Sequence, residues 1–246
     1  MEGLKKIPVL WEIDIHNIWR DDLLSWMVAM PLGLALLLRW GFPYILKAIG
    51  EYFNQELMVH HPVLTGFFIL LIVPMVSGML AGFLLLDQRD EGTLMVLKVT
   101  PLPVSTLLIY SMLMPFFSCL FVTIISFYLA GLGGIGAGVI LLSAFTAAPL
   151  APLTAMTMIS FAENKVQGFA LVKGTIVFWI PPLFTYFLRP AWEHVFGLIP
   201  LYWPCRVYQA FFENDPRVWN FFVVGFAYNL VLLFLLFYRD KNSKEE

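Results

Sequence analysis

The stretch DQRDEGTLMVLKVTPLP, residues 87–103, is the one place where a dense cluster of charges lies between two long apolar runs. Asp87, Arg89, Asp90 and Glu91 follow 30 uncharged residues (57–86), and after Lys98 another 64 uncharged residues pass before Glu163. A polar segment held between two such runs is tethered to membrane at both ends. Gly92 lets the chain bend without steric cost, Thr93 is suited to cap a new helix, and Pro101 and Pro103 end it. Residues 94–99 therefore read as a helix of one to two turns, with Leu94 and Leu97 on one face. Spacing alone leaves an ordinary cytoplasmic loop equally open.

Composition sets the class. Hydrophobic residues make up 60% of the 246 and charged residues 13%, with a mean hydropathy of +0.80. Soluble domains average roughly 45–50% apolar and ~25% charged, so this is a polytopic membrane protein. The net charge of −2 gives no argument for nucleic acid. Cys119 sits in an apolar run and Cys205 in a loop, which excludes a disulfide framework. Lys5 and Lys6 are followed by the charged run Trp11–Asp22 rather than an apolar core and a small-residue cleavage site, so no signal peptide is read.

A membrane crossing needs ~20 apolar residues. Six crossings are expected, at about 23–44, 63–86, 106–130, 139–161, 169–188 and 218–238. In the first, Arg39 must snorkel beside Trp40 and Tyr44, and the fifth must accept Lys173 near its end. Gly78 and Gly82, four apart in the second, form a small-xxx-small face that allows close helix contact. Glycines 131, 133, 134, 136 and 138 mark a hairpin that divides the long uncharged run into two spans. The first 22 residues have the spacing of an amphipathic helix on the membrane surface, with a disordered tail as the alternative. Residues 189–217 mix Trp, Pro, aromatics and charges, which suits short interfacial or re-entrant helices rather than a crossing. The expected fold is all-α, one transmembrane domain over 1–246.

Ten of the fifteen lysines and arginines fall on one side of this topology: the amino terminus, 87–103, the 162–173 region and the tail. The positive-inside bias puts both termini in the cytoplasm of a plasma (inner) membrane protein, with the stretch 45–62 between the first two spans and 189–217 external.

The run Glu91, Gly92, Thr93, Leu94, then a brief apolar helix and Thr100, Pro101, Leu102, resembles the permease subunits of type-2 ABC exporters. With HPVLTGFF (61–68), the 87–103 stretch is similar to the fluoroquinolone-type export permeases. The resemblance implies that 87–105 is a coupling segment docking onto a separate ATPase through Arg89, Asp90, Glu91, Gly92, Thr93, Leu94, Leu97, Thr100, Pro101 and Leu102. Glu163, Asn164 and Lys165 would form a second cytoplasmic contact. It also implies two permeases, of this chain or a paralogue, with two ATP-binding subunits that hold ATP and Mg. This chain has no G-x-x-x-x-G-K-[ST] and is expected to carry no cofactor of its own.

Two other classes make different demands on the sequence. A membrane enzyme would gather catalytic or metal-binding groups at one depth, but His16, His60, His61 and His194 all lie outside the expected spans. Neither H-E-x-x-H nor G-x-S-x-G occurs, so no catalytic or metal-binding residue is assigned. A secondary transporter would carry acidic residues or paired broken helices within its spans. No confident span contains an acidic residue, but prolines at 31, 74, 115, 149, 152, 181 and 182 keep that alternative open. Asn229, beside Tyr228, is the costliest residue to place in lipid and is expected to pack on another helix, with substrate contact as the alternative. The apolar interior suits an amphipathic or lipophilic substrate, drug-like or lipid-like.

Overall fold

A chain in lipid must satisfy its backbone hydrogen bonds internally, and apolar runs of this length do so as helices. The computed structural model describes residues 7–90, 104–179, 186 and 193–243, and all of its regular structure is helical. Helix α1 is Ile7–Arg20 and α2 is Asp22–Trp40, the latter opened by the Asp21 carboxylate, which accepts the backbone N–H groups of Leu23 and Leu24. Then come α3 (Phe42–Phe53), a 3-10 turn (Leu57–His60), α4 (His61–Asp90) and α5 (Val104–Leu129). A second 3-10 turn, Leu132–Ile135, leads to α6 (Ala137–Ala147) and α7 (Leu150–Phe161). Last are α8 (Lys165–Trp179), α9 (Glu193–Phe196), α10 (Tyr202–Phe212) and α11 (Val218–Ser243).

Among the described residues, five segments are long and apolar enough to cross a membrane: Asp22–Trp40, Leu57–Arg89, Tyr110–Leu129, Ala137–Phe161 and Val218–Arg239. The expected fifth span, 169–188, begins within α8, and its remainder lies outside the described residues but for Tyr186. Segment 91–103 also lies outside them.

Two expectations need correcting. The first span stops at Trp40 rather than 44, and the expected loop 45–62 contains α3. Pro43 has no N–H to continue the ladder of α2, so the chain bends at Gly41 and restarts. The fourth span is also two helices, α6 and α7, interrupted at Ala148–Pro149. Pro149 and Pro152 withhold two donors in one turn, and Ala151 N–H falls back on the Ala148 carbonyl at 3.3 Å.

Helix α4 is the central post, largely buried, whereas α11 turns most of its apolar surface outward. The closest packing is of α4 on α7. A Cβ at Gly78 would stand 2.5 Å from both the Ala151 carbonyl oxygen and the Thr154 Cβ, and one at Gly82 would stand 2.7 Å from the Met158 sulfur. The small-residue face is thus where α4 and α7 approach most closely. At the glycine end of the bundle the α5–α6 hairpin turns through Gly131 (φ 79°) and Gly136 (φ 110°), left-handed positions that a side chain would strain. At the opposite, charged end lie α1, the last turn of α4 and the α7–α8 junction.

Candidate functional site

At the charged end, three consecutive residues of α4 bond to three different elements. Asp87 meets the Lys165 ammonium of α8 at 2.8 Å. The Gln88 amide donates to Asp14 of α1 at 3.3 Å. Arg89 donates to the Ala162 carbonyl between α7 and α8, also at 3.3 Å. Lys165 reaches Asp21 as well, at 3.1 Å, so one ammonium joins the cap of α2 to the end of α4. Asp14 closes a second link by accepting the Tyr110 hydroxyl of α5 at 2.7 Å. One buried carboxylate therefore holds residues on both sides of segment 91–103.

The electrostatics follow from these partners. Burial pushes the Asp14 carboxyl above its ordinary range, and the Tyr110 hydrogen bond only partly offsets this. Burial would also raise Asp21, but the Lys165 bond and two backbone N–H groups outweigh it and hold the carboxyl below its ordinary range. Burial works against the Lys165 charge, yet Asp87 and Asp21 together raise its pKa.

Of the expected contact residues, Arg89 is engaged with Ala162 and Asp90 ends α4, while Glu91, Gly92, Thr93, Leu94, Leu97, Thr100, Pro101 and Leu102 lie outside the described residues. In the second expected contact, Asn164 accepts the Gln167 N–H at 3.0 Å and Gln167 answers by accepting the Glu163 N–H at 2.8 Å. This is a variant of the reciprocal cap that starts a helix, and it presents Lys165 in the first turn of α8. Sequence reasoning missed Asp14, Asp21, Asp87, Gln88 and Tyr110 as members of this cluster. Only Asp21 carried a local signal, a capping residue just before an apolar run.

Toward the glycine end, the chain ahead of α11 dips into the bundle. The Tyr228 hydroxyl donates to the Leu198 carbonyl at 2.6 Å, and Trp203 Nε1 donates to the Gly197 carbonyl at 3.1 Å. Tyr228 lies ten residues beyond Val218, about 15 Å along the helix or half of a ~30 Å bilayer core. Segment 197–203 thus turns at mid-depth, and α10 climbs back to Tyr208, whose hydroxyl donates to the Pro62 carbonyl at 2.9 Å. From the middle of α10, buried Arg206 reaches Glu213 at 2.6 Å and Asp215 at 3.3 Å just past the helix end and lies over the Phe221 ring. The Arg217 side-chain and backbone N–H bonds draw the Asp215 carboxyl down to about 2.

Beside this turn, α11 contacts the break in the fourth span. Asn229 Nδ2 donates to the Thr146 carbonyl at 3.3 Å, and the Cys119 thiol of α5 approaches the Ala147 carbonyl at 3.9 Å. An open pocket of about 150 Å³ lies below the turn, lined by Leu153, Thr154, Thr157, Met158, Leu171, Val172 and Pro200. Thr154 and Thr157 both spend their hydroxyls on backbone carbonyls one turn back, so the lining is effectively apolar.

A family model described as fluoroquinolones export permease protein Rv2686c-like matches residues 14–237. The chain belongs to this family. Two relatives from Mycobacterium tuberculosis are named fluoroquinolones export permease protein, MT2760 in strain CDC 1551 / Oshkosh and Rv2686c in strain ATCC 25618 / H37Rv. Each is 28% identical to this chain over 246 residues, covering 97% of it and 95% of the relative. The match to the Rv2686c-like permeases begins at Asp14 and ends at Phe237, so it takes in the charged cluster and the re-entrant turn alike. Membership of an export permease family, together with the apolar helices, makes this a multi-pass membrane transport protein.

Proposed function

We infer that this permease is the membrane subunit of an ATP-driven ABC exporter and moves an amphipathic or lipophilic organic molecule with energy from separate ATP-binding subunits. The observation that carries the reading is the three-way tether of Asp87, Gln88 and Arg89 immediately ahead of segment 91–103. A force applied to that segment passes at once to α1, α2, α8 and the α7–α8 junction, as an energy-coupling contact requires.

In this reading the charged end and both termini are cytoplasmic. Two ATPase subunits, which bind ATP and Mg, dock on two permeases, each either this chain or a paralogue. Arg89, Asp90, Glu91, Gly92, Thr93, Leu94, Leu97, Thr100, Pro101 and Leu102 form the docking segment, and Glu163, Asn164 and Lys165 the contact beside it. The apolar cavity under the re-entrant turn suits a drug-like aromatic molecule, and the relatives' names make a fluoroquinolone the first substrate to try.

The test is to replace Leu94 or Leu97 by aspartate and follow both ATPase retention and export. Burying a leucine is worth about 1.5–3 kcal/mol, so its loss weakens docking about ten- to a hundredfold. The expected outcome is a normally inserted permease that neither keeps its ATPase on purification nor lowers cellular fluoroquinolone. Variants that retain both would remove the coupling role, and export with no copurifying ATPase would assign the chain to the secondary transporters.

A further inference from the structure

Helix α3 is amphipathic, and one apolar strip of it is left uncovered. At about 100° per residue, Ile45, Ile49, Tyr52 and Phe53 fall in one arc, and all four are exposed, Tyr52 at 82% and Phe53 at 64%. The adjoining arc is buried: Leu46 is packed away, and a Cβ at Gly50 would stand 2.5 Å from the Gln55 carbonyl oxygen. Lys47 and Glu51 lie on the far side, also exposed. The helix thus has three faces: one on the protein, one charged, and one apolar with no protein against it among the described residues.

The depth of α3 is marked by its neighbours. Two residues before Gly41, Arg39 donates to the carbonyl of Leu129, the last residue of α5, at 3.5 Å. His61, the first residue of α4, donates to the Leu38 carbonyl at 3.3 Å. Three apolar segments therefore begin or end at the level where α3 starts, which is the membrane boundary at the glycine end. Near the end of α2, Leu37 and Trp40 are exposed as well, at 56% and 62%.

We propose that α3 lies in the lipid interface at the glycine end, with Ile45, Ile49, Tyr52 and Phe53 inserted at the boundary of headgroups and acyl chains and Lys47 and Glu51 in water. The partner is the bilayer surface itself. An apolar strip at the level where three apolar segments begin or end, carrying Tyr52 and opposed by Lys47 and Glu51 on the far side, has the pattern of helices that sit about 5–10 Å into that zone. The left-handed Asn54 (φ 52°) ends the helix where the polar run Asn54–Glu56 leaves the surface. Such a helix fixes the depth of the bend at Gly41 and Pro43, and with it the height of α2 in the membrane.

Nitroxide labels on single cysteines, in a background lacking Cys119 and Cys205, test this in liposomes of the full chain. Labels at 45, 49, 52 and 53 should collide with oxygen at least threefold more readily, relative to a water-soluble nickel reagent, than labels at 47 and 51. Position 52 needs little of its native side chain, so its label reports even if one at 45 or 49 disturbs the fold. Nickel access at 45, 49, 52 and 53 equal to that at 47 and 51 would overturn the proposal. So would shielding of all four from both reagents, which would mean that a second copy or another protein covers the strip.

Discussion

The Lys165 ammonium lies 2.8 Å from the Asp87 carboxylate, across a sequence separation that no local pattern spans. Its other partner, Asp21, belongs to the cap of α2. Lys165→Met should leave the two carboxylates unneutralised. The three side chains are about a third exposed, so solvent screens the pair and the stability lost is about 1 kcal/mol. Under the proposed coupling role, the larger effect is expected on substrate-stimulated ATP hydrolysis by the permease with its ATPase, measured beside a thermal melt of the permease alone.

That node also has a pH window. Asp21 titrates below its ordinary 3.8 and Lys165 above its ordinary 10.5. The depressed carboxyl contributes stability above 3.8, lost as pH falls through its folded value. The raised amine contributes below 10.5, lost as pH rises through its folded value. The deficit of Lys165→Met should therefore be flat from pH 5 to 9 in detergent melts. A deficit that varied strongly within those limits would contradict the assignment.

Asp14 has the opposite sign. Its folded pKa is raised, so the native state pays an increasing cost as pH climbs from 3.8 through the folded value. Asp14→Asn keeps an oxygen to accept the Tyr110 hydroxyl and removes the buried charge. The variant should melt with wild type near pH 4 and progressively above it toward pH 8, and the reverse trend would refute the burial argument.

The two glycines of α4 should not tolerate alanine equally. At Gly78 the new methyl meets the backbone carbonyl of Ala151, which cannot move without shifting α7, whereas at Gly82 it meets the flexible Met158 side chain. Gly78→Ala should cost about 1–3 kcal/mol, the range for overpacking, and Gly82→Ala under half of that. Unfolding of the two variants in mixed micelles compares them directly.

Arg206 is buried and holds both Glu213 and Asp215. Arg206→Met should cost about 1 kcal/mol, because Glu213 is solvent-screened and Asp215 keeps Arg217 as a partner. Asp215 is held at about 2 mainly by Arg217, so the stability that comes with that shift is present above 3.8, fades as pH falls toward 2 and survives in the variant. Melts at pH 7 and pH 3 should show wild type and variant losing this share alike.

Much of the fold is legible in the sequence because lipid imposes a single rule on long apolar runs. The ends of α4, α5 and α11 fall close to the expected spans, and Gly131 and Gly136 turn the expected hairpin. What escapes is non-local or hidden by uniform hydropathy. The break between α6 and α7 lies in a run apolar throughout, so Pro149 and Pro152 interrupt the backbone with no change of polarity to mark it. Helix α3 looks like a loop because Lys47 and Glu51, on its far side, interrupt the apolar run along the sequence. The charged cluster depends on Asp14, Asp21 and Lys165 meeting at α4 from distant parts of the chain, and only the cap of α2 hints at one of them.

Asp87, Gln88 and Arg89 are consecutive on a helix, so their side chains leave the axis about 100° apart and together sweep some 200° of its circumference. Three anchors distributed around a shaft in this way oppose rotation in either direction. The last turn of α4 is thus held in three directions by three different elements. A push at the charged end would therefore reach all three together, with the Gly78–Gly82 face kept aimed at α7.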